Sequence, residues 1–244
     1  MESIIQVEGL SKSYHGVNAV ENLCISIRSG EVFGLLGANG AGKTTSIECI
    51  LGVRKPDQGA ISVMGMNPSS DRKKLFEKVG VQFQESSFQE NIKVVELCEV
   101  TQALYKNPGN YDLLLRQFDL SDKKKAAVSE LSGGQKQRLF VVLALLPNPE
   151  VVFLDELTTG LDSRARRNVW KCISDLKQKG LTILMTSHYM DEVQTLCDRI
   201  CILKKGKTVF RGTIKEAVAT SPFDQFEDAY LWLTDEEDSE DENI

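Results

Sequence analysis

The chain alternates short apolar runs with segments in which apolar residues recur every three or four positions. The runs at 32–36, 151–156 and 181–186 are mainly apolar, as strands buried on both faces of a parallel sheet are. Helical spacing of apolar residues occurs at 45–51 and 163–178. This alternation predicts an α/β fold built on a parallel sheet.

Other strand patterns lie on either side of these elements. Residues 4–10 and 23–27 are predicted strands, with a polar turn at 11–16 between them. In the second of these strands, Leu23, Ile25 and Ile27 alternate onto one face. Further strands are predicted at 60–64, 79–84, 200–203 and 208–210.

The segment from about 91 to 130 changes character and predicts helices alone. An all-helical insert within an α/β pattern indicates a small subdomain. We place this subdomain at about 85–145, within a domain that spans 1–234. The predicted helices of the insert are 94–105, 112–118 and 122–128.

Composition excludes several classes of protein. With 244 residues, the chain can bury a sizeable core without disulfides. Its six cysteines form no C-x-x-C pair and have no histidine cluster beside them, which favours reduced apolar side chains over zinc ligands or disulfides. The longest apolar run, Leu139–Leu146, is far too short to cross a membrane, and residues 1–6 lack a signal-peptide pattern. We therefore expect a cytoplasmic chain that does not itself span a membrane.

The charge is concentrated at the C-terminus. The formal net charge is −6, and seven acids lie between Asp235 and Glu242, so the rest of the chain is close to neutral. Residues 235–244 are predicted to be a solvated, disordered acidic tail rather than a binding element. No basic patch marks a nucleic-acid surface, and we expect no nucleic-acid partner.

A glycine-rich loop at 37–44 is the stretch around which the chain is organised. Its sequence, GANGAGKT, matches the pattern G-x-x-x-x-G-K-[ST] at every fixed position. The loop follows a strand-like run and opens a helix, which is the context that this pattern requires. The alternative, a glycine-rich turn before a helix, does not explain the full match.

Each residue type in the loop has a chemical role. The glycines let successive backbone NH groups point at a β-phosphate, at the positive end of the following helix. Lys43 brings a full charge to the β- and γ-phosphates, and the Thr44 hydroxyl is placed to bind Mg²⁺. The other predicted contacts are Gly37, Asn39, Gly40, Gly42 and Thr45.

A second predicted anion site lies at Leu131–Gln135, the sequence LSGGQ, which precedes a helix predicted at 136–146. A hydroxyl and free NH groups at a helix start can bind an anion. An ordinary helix cap would account for Ser132 but not for two glycines at a helix entry. We therefore predict that Ser132 and Gly134 contact a phosphate.

Two adjacent carboxylates end the strand at 151–156. If this strand is parallel to the one before the phosphate loop, its C-terminal end lies beside the loop. Asp155 is then placed to hold Mg²⁺, and Glu156 to polarise an attacking water. His188 follows the strand at 181–186 and can reach a γ-phosphate from there. The alternatives are solvated acids at a strand end and a structural histidine.

In this order, the motifs resemble those of the nucleotide-binding domain of ATP-binding cassette (ABC) transporters, over residues 4 to about 215. The loop at 37–44 resembles the Walker A motif, and Leu131–Gln135 the signature. Val151–Glu156 resembles the Walker B motif with its catalytic glutamate. The remaining matches are Gly160–Asp162 to the D-loop and His188 to the switch histidine.

Two residues gain a specific role only from this resemblance. Tyr14, otherwise an edge aromatic, falls where the family stacks an aromatic ring on adenine. Gln84, otherwise a solvated strand end, resembles the Q-loop glutamine. The resemblance implies ATP and Mg²⁺ as cofactors. It implies Lys43, Glu156 and His188 as catalytic residues and Thr44, Gln84 and Asp155 as metal ligands.

The resemblance also implies a fold and partners. The fold is a P-loop NTPase core with a mixed sheet, an N-terminal antiparallel β subdomain and a small all-helical subdomain. In the family, the signature of one subunit closes on ATP held by the Walker A loop of a second, in a homodimer or a pair of ATPase subunits. A membrane-spanning subunit is contacted near Gln84 and the helical insert. That partner would hold the chain on the inner face of the cell membrane.

Residues 227–234 resemble the ending of exporter ATPases of the drug and antibiotic type, which predicts export. Leu157 departs from the family, which usually has proline there. One alternative is a soluble ABC ATPase acting on DNA or the ribosome, although such proteins usually carry coiled coils, zinc inserts or two cassettes. Another is a nucleotide-binding module without turnover, for which the sequence offers no support.

Overall fold

The computed structural model describes residues 3–82, 88–89 and 91–234. Gln84 and the acidic tail at 235–244 lie outside these residues. The strands are β1 (Ser3–Tyr14), β2 (Val17–Arg28), β3 (Val32–Leu36), β4 (Gln58–Val63), β5 (Val79–Gln82), β6 (Val151–Asp155), β7 (Thr182–Ser187), β8 (Arg199–Lys204) and β9 (Lys207–Gly212). The α-helices are α1 (Lys43–Ile50), α2 (Arg72–Phe76), α3 (Val94–Gln102), α4 (Tyr111–Gln117), α5 (Gly133–Leu145), α6 (Ser163–Gln178), α7 (Met190–Leu196), α8 (Ile214–Thr220) and α9 (Phe226–Thr234).

Two sheets form the framework. The larger has the strand order β5-β6-β7-β3-β8-β9, in which only β9 is antiparallel to its neighbour. The smaller has the order β2-β1-β4 and is antiparallel throughout. The prediction of an α/β fold with a mixed sheet and an N-terminal antiparallel sheet is confirmed.

The burial of the strands follows their apolar patterns. Every residue of β3, β6 and β7 is buried, as expected for central strands covered on both faces. In β2, the predicted alternation holds, because Leu23, Ile25 and Ile27 are buried between exposed neighbours. The small sheet therefore packs one face against α1 and the central sheet, and turns the other face to solvent.

The N-terminal hairpin is longer than predicted. β1 continues to Tyr14, which pairs with Val17, so the expected polar turn at 11–16 is wrong. The turn consists of His15 and Gly16, with φ of 50° and 83°. A two-residue hairpin loop with positive φ at both positions matches the right-handed twist of its strands. Because the turn is this short, the polar residues before it stay paired with β2.

The helical insert contains α3 and α4 and ends with α5, but the predicted helix at 122–128 is wrong. Short 3-10 turns at Ser121–Lys123 and Val128–Glu130 replace it. The backbone between them pairs with the start of α3 instead, since Val94 N donates to Ala126 O at 3.1 Å. The boundaries of the insert and of the whole domain stay predictions.

Among the residues that the structure describes, no helix is both long and apolar enough to cross a membrane.

The contact between β5 and α5 leaves no room for a side chain at Gly80. A Cβ there would lie 1.9 Å from the carbonyl oxygen of Ala144. We expect Gly80→Ala to lower the free energy of unfolding by about 3 kcal/mol, because backbone must move to admit it. Urea denaturation would measure this change.

Gly109→Ala is the matched control. A Cβ at Gly109 would lie 3.6 Å from the carbonyl oxygen of Leu145, which is ordinary van der Waals contact, and φ at this glycine is not positive. We expect a change within about 1 kcal/mol at this position. Equal losses in the two variants would contradict the assignment of close packing to Gly80.

Candidate functional site

A cleft of about 360 Å³ opens beside the phosphate loop, between the end of β3 and the start of α1. Most of its lining comes from residues that the sequence predicts as phosphate contacts. The lining residues are Ala19, Asn39, Gly40, Gly42, Lys43, Thr44, Thr45 and Glu156.

The loop needs glycine for two separate reasons. Gly42 has a φ of 102°, and a Cβ there would lie 2.2 Å from the carbonyl oxygen of Ala19. Gly40 has a φ of 80°, and no atom of the described residues lies within 4 Å of its Cβ position, so this glycine serves the turn and leaves space beside the backbone. The loop is thereby held against β2 on one side and kept open on the other.

Lys43 is buried at the base of the cleft. Its Nζ atom donates to Gly37 O at 2.8 Å and to Ala38 O at 3.2 Å. The same atom lies 3.3 Å from Glu156 Oε1. The lysine charge is therefore fixed at the centre of the loop, where it faces one carboxylate.

Asp155 joins three elements. Its Oδ2 accepts from Thr44 Oγ1 at 3.1 Å, and its Oδ1 accepts from Thr186 Oγ1 at 2.6 Å. Burial raises the pKa of Asp155, and the two donated hydrogen bonds oppose this shift. A divalent cation beside the carboxylate would also favour its ionised form.

Glu156 leaves β6 in a left-handed backbone conformation, with a φ of 49°. Its backbone NH donates to Thr186 Oγ1 at 2.9 Å. Its Oε2 atom lies 3.8 Å from His188 Nδ1. The turn after Asp155 thus directs Glu156 toward both Lys43 and His188.

The structure brings together the predicted residues Lys43, Thr44, Asp155, Glu156 and His188. The strand register explains this, because β6 pairs in parallel with β7, and β7 with β3. The acidic strand is therefore parallel to the strand before the loop, as expected, but β7 lies between them.

Three other predicted residues lie elsewhere. The ring of Tyr14 lies 5.5 Å from Lys12 Nζ and 5.6 Å from Arg54 Cζ, and this residue does not line the cleft. Ser132 caps α5, because its Oγ accepts from Gln135 N at 3.3 Å. At Gly134, a Cβ would lie 2.9 Å from the Cβ of Ala165, so close packing of α5 on α6 also requires a small residue there.

Two contributors to the site were not predicted from the sequence. Ala19 lines the cleft because the N-terminal hairpin folds over the phosphate loop, an arrangement that local patterns do not contain. Thr186 bonds both Asp155 and Glu156. The sequence does contain a signal for Thr186, because this threonine ends a strand that is predicted to be buried and parallel to the acidic strand.

The donor set fits a phosphate-bound magnesium ion. Thr44 and Asp155 offer a hydroxyl and a carboxylate, the hard oxygen ligands that Mg²⁺ prefers. No group of three or more His, Cys, Asp or Glu side chains suited to a metal occurs in the described ranges.

A phosphate loop at the C-terminal edge of a parallel sheet, with one carboxylate beside its lysine and a second bonded to its threonine, defines a P-loop nucleoside triphosphatase.

Comparison with known proteins identifies the family. A sequence profile of the family described as "ABC transporter" matches residues 20–159. The chain is 36% identical over 220 residues to "Nod factor export ATP-binding protein I" of Ralstonia nicotianae, covering 88% of this chain and 68% of that protein. The chain therefore belongs to the ABC transporter family and is an ATP-binding, ATP-hydrolysing subunit of a transporter.

Solved structures agree with this assignment. The ATP-binding subunit of an ABC transporter superposes with a TM-score of 0.85 at 26% identity, covering 96% of this chain and 100% of that one. A dimeric bacterial ABC transporter cassette, MJ0796, shares the fold with a TM-score of 0.77 at 24% identity, covering 86% of this chain and 98% of that one.

The Thr186 hydroxyl is expected to contribute to stability through its two buried hydrogen bonds. Thr186→Val keeps the shape but leaves Glu156 N without this acceptor, and we expect a loss of about 2–3 kcal/mol in the free energy of unfolding. Urea denaturation would measure this loss.

Thr186→Ser, which keeps the hydroxyl and loses one methyl, should cost only about 1 kcal/mol. If serine is as destabilising as valine, packing rather than hydrogen bonding determines the effect.

Proposed function

We propose that this chain is the ATP-hydrolysing subunit of an exporter and that Glu156 activates the attacking water. The observation that carries the proposal is the position of the Glu156 carboxylate. One oxygen lies 3.3 Å from Lys43 Nζ and the other 3.8 Å from His188 Nδ1. A carboxylate held between a phosphate-binding lysine and a histidine is placed to accept a proton from water.

The phosphate site also offers Lys43 a better partner than Glu156. Phosphate oxygens carry more negative charge than one carboxylate, and the open space at Gly40 admits them to the loop. We infer that ATP draws Lys43 toward the β- and γ-phosphates, which releases Glu156 to bind water. Asn39, Gly37, Gly42 and Thr45 supply further contacts of the loop.

Magnesium, when bound, would supply positive charge that stabilises the charge developing on the phosphates. Thr44 and Asp155 would hold it, together with Gln84, which remains a predicted ligand outside the described residues. Glu156 then takes a proton from water as the water oxygen attacks the γ-phosphorus. The bond to the β–γ bridging oxygen breaks, and ADP leaves. His188 donates to a γ-phosphate oxygen, and Tyr14 stacks on adenine.

The second anion site supports a dimer around ATP. Ser132 and Gly134 lie at the start of α5, and neither lines the cleft at the phosphate loop. Ser132 N donates to Gln135 Oε1 at 2.9 Å, but the Ser132 hydroxyl, which accepts from Gln135 N, can still donate its own proton to an anion. We infer that this hydroxyl and the NH of Gly134 contact ATP held by a second copy or a paired ATPase subunit. We propose that the two subunits close head to tail around ATP.

The site of the membrane partner is proposed at the insert. A groove of about 230 Å³ there is lined by Phe76, Phe88, Tyr105 and Phe140, among others. Leu104 lies two residues after the end of α3 and next to Tyr105, and it is 75% exposed. We propose that a membrane-spanning subunit docks on this groove and holds the chain on the inner face of the cell membrane. The export function of the Ralstonia relative supports outward transport.

Glu156→Gln is expected to abolish most ATP turnover while keeping nucleotide binding. The amide keeps the shape of the side chain but cannot accept a proton from water. We expect turnover to fall by about 100-fold or more and an ATP-bound dimer to accumulate. A phosphate-release assay and size-exclusion chromatography with Mg-ATP would measure these two effects.

Glu150→Gln is the matched control, because this exposed glutamate precedes the other end of the same strand. It should leave turnover and dimer formation unchanged. Lys43→Ala provides the contrast, since it should weaken ATP binding itself. A monomeric Glu156→Gln chain with undiminished turnover would contradict the proposed role of this carboxylate.

The proposed partner site predicts that Leu104→Glu weakens capture of a membrane protein. A tagged Glu156→Gln chain with Mg-ATP would be used to pull down partners from detergent-solubilised membranes. We expect a polytopic membrane protein, with at least tenfold less captured by the charged variant. ATPase activity of the isolated Leu104→Glu chain, measured without the Glu156 change, should be unaltered.

Leu231→Glu is the matched control, because this leucine is 51% exposed on α9, which lies outside the helical insert. Equal capture by both leucine variants would contradict docking at the insert. Recovery of ribosomes or DNA-associated proteins instead of a membrane protein would favour the alternative of an ABC ATPase with a soluble target.

A further inference from the structure

Tyr189 connects α6 to the side chain of His188. The guanidinium Cζ of Arg166 lies 4.1 Å from the centre of the Tyr189 ring. On the same tyrosine, the ring centre lies 4.2 Å from that of His188, with the two planes tilted by 39°. Tyr189 is thus in contact with a cation from α6 and with the imidazole that faces Glu156.

The backbone of Tyr189 is held by a second set of contacts. Its NH donates to Ser187 Oγ at 3.0 Å. The same hydroxyl donates to Glu192 Oε2 at 2.5 Å, while Glu192 Oε1 accepts from Trp170 Nε1 at 2.9 Å. Glu192 is buried, and it links the end of β7 to α6 through α7.

The position of Arg166 is itself defined by the start of α6. Asp162 caps this helix, and its backbone oxygen accepts from Arg166 N at 2.9 Å. The guanidinium also lies 3.4 Å from Asp191 Oδ2. Its Nε atom is buried and has no hydrogen-bond acceptor in the described part of the chain. The face of the Tyr189 ring is therefore a major contact of this cation.

We propose that Arg166 and Tyr189 are positioning residues for His188, which they orient toward Glu156. This inference rests on the proposed function of His188. The side chain of His188 is 37% exposed, so packing by buried neighbours alone does not determine its rotamer. The tilted tyrosine ring supplies a surface on one side, and Arg166 prevents that ring from turning away. A histidine confined in this way loses less conformational freedom when it meets a phosphate.

The experiment uses the full chain and measures kcat and KM for ATP separately. We expect Tyr189→Ala and Arg166→Met each to lower kcat by about tenfold, because they misorient the imidazole. KM should change by less than about twofold, because the phosphate-loop contacts remain. Tyr189→Phe should keep kcat within about twofold of the value for the unsubstituted chain, because the ring face and not the hydroxyl contacts Arg166 and His188.

A histidine background separates positioning from general damage. In a His188→Ala chain, adding Tyr189→Ala should have no further effect on kcat, whereas a disrupted fold would lower it again. Tyr111→Ala is the matched control, since this ring in the helical insert lies 5.1 Å from Lys124 Nζ. It removes a comparable cation–ring pair and should leave kcat unchanged.

The outcomes distinguish this inference from the function on which it rests. Undiminished kcat in His188→Ala alone would overturn the proposed role of His188. A lowered kcat in His188→Ala with normal kcat in both Tyr189→Ala and Arg166→Met would overturn the positioning role only. Additive losses in His188→Ala and Tyr189→Ala would also overturn it, because independent effects do not act through one imidazole.

Discussion

The parallel register of β3, β7 and β6 is the constraint on which the candidate site depends. It pairs Leu36 with Ser187 and Asp155 with Thr186, so three strands end at one edge of the sheet. Side chains alternate between faces along a strand, so a slip of one residue in β6 would turn Asp155 away from Thr44. The Thr186 hydroxyl reinforces this register, because it bonds the carboxylate of Asp155 and the backbone of the next residue. The proposed metal ligands Thr44 and Asp155 are thus positioned by the core of the protein.

The pairing of Lys43 with Glu156 follows from the same geometry. Both side chains are buried, and an isolated charge at this depth is costly, so the ion pair offsets part of the cost of burying each charge. The backbone of Glu156 is left-handed, a conformation that costs a residue with a side chain about 1 kcal/mol or more. Such strain is retained where the surrounding contacts specify a function. Here it turns the carboxylate out of the strand direction and toward the lysine, for which incoming phosphates would compete in the proposed mechanism.

How much of the fold and of the candidate site could be predicted from the sequence depends on how far apart in sequence the interacting residues lie. The phosphate loop, the acidic strand end and His188 carry local signals, and the sequence placed them on the correct elements. Thr186 required knowledge of which strand lies beside β6, and Ala19 required the fold of a hairpin distant in sequence. The insert misled the helix prediction at 122–128, because that backbone pairs with residues before and within α3 rather than with itself. Ser132 shows a further limit of pattern, since a phosphate-contacting serine and a helix cap have the same local sequence.

The buried carboxylate of Glu192 shows how the exposed histidine is connected to this rigid edge. Burial raises the pKa of Glu192, and the hydrogen bonds from Ser187 and Trp170 oppose that shift. The free-energy cost of burying this carboxyl group is lower when each of its oxygens accepts a hydrogen bond. The donors come from β7 and α6 and the acceptor from α7, so the three elements are coupled at this point. Ser187 immediately precedes His188, and Trp170 lies one helical turn after Arg166. Both sets of contacts to Tyr189, to its ring through Arg166 and to its backbone through Ser187, Glu192 and Trp170, thus depend on α6. A displacement of α6 relative to β7 would therefore change both the backbone and the ring that support His188.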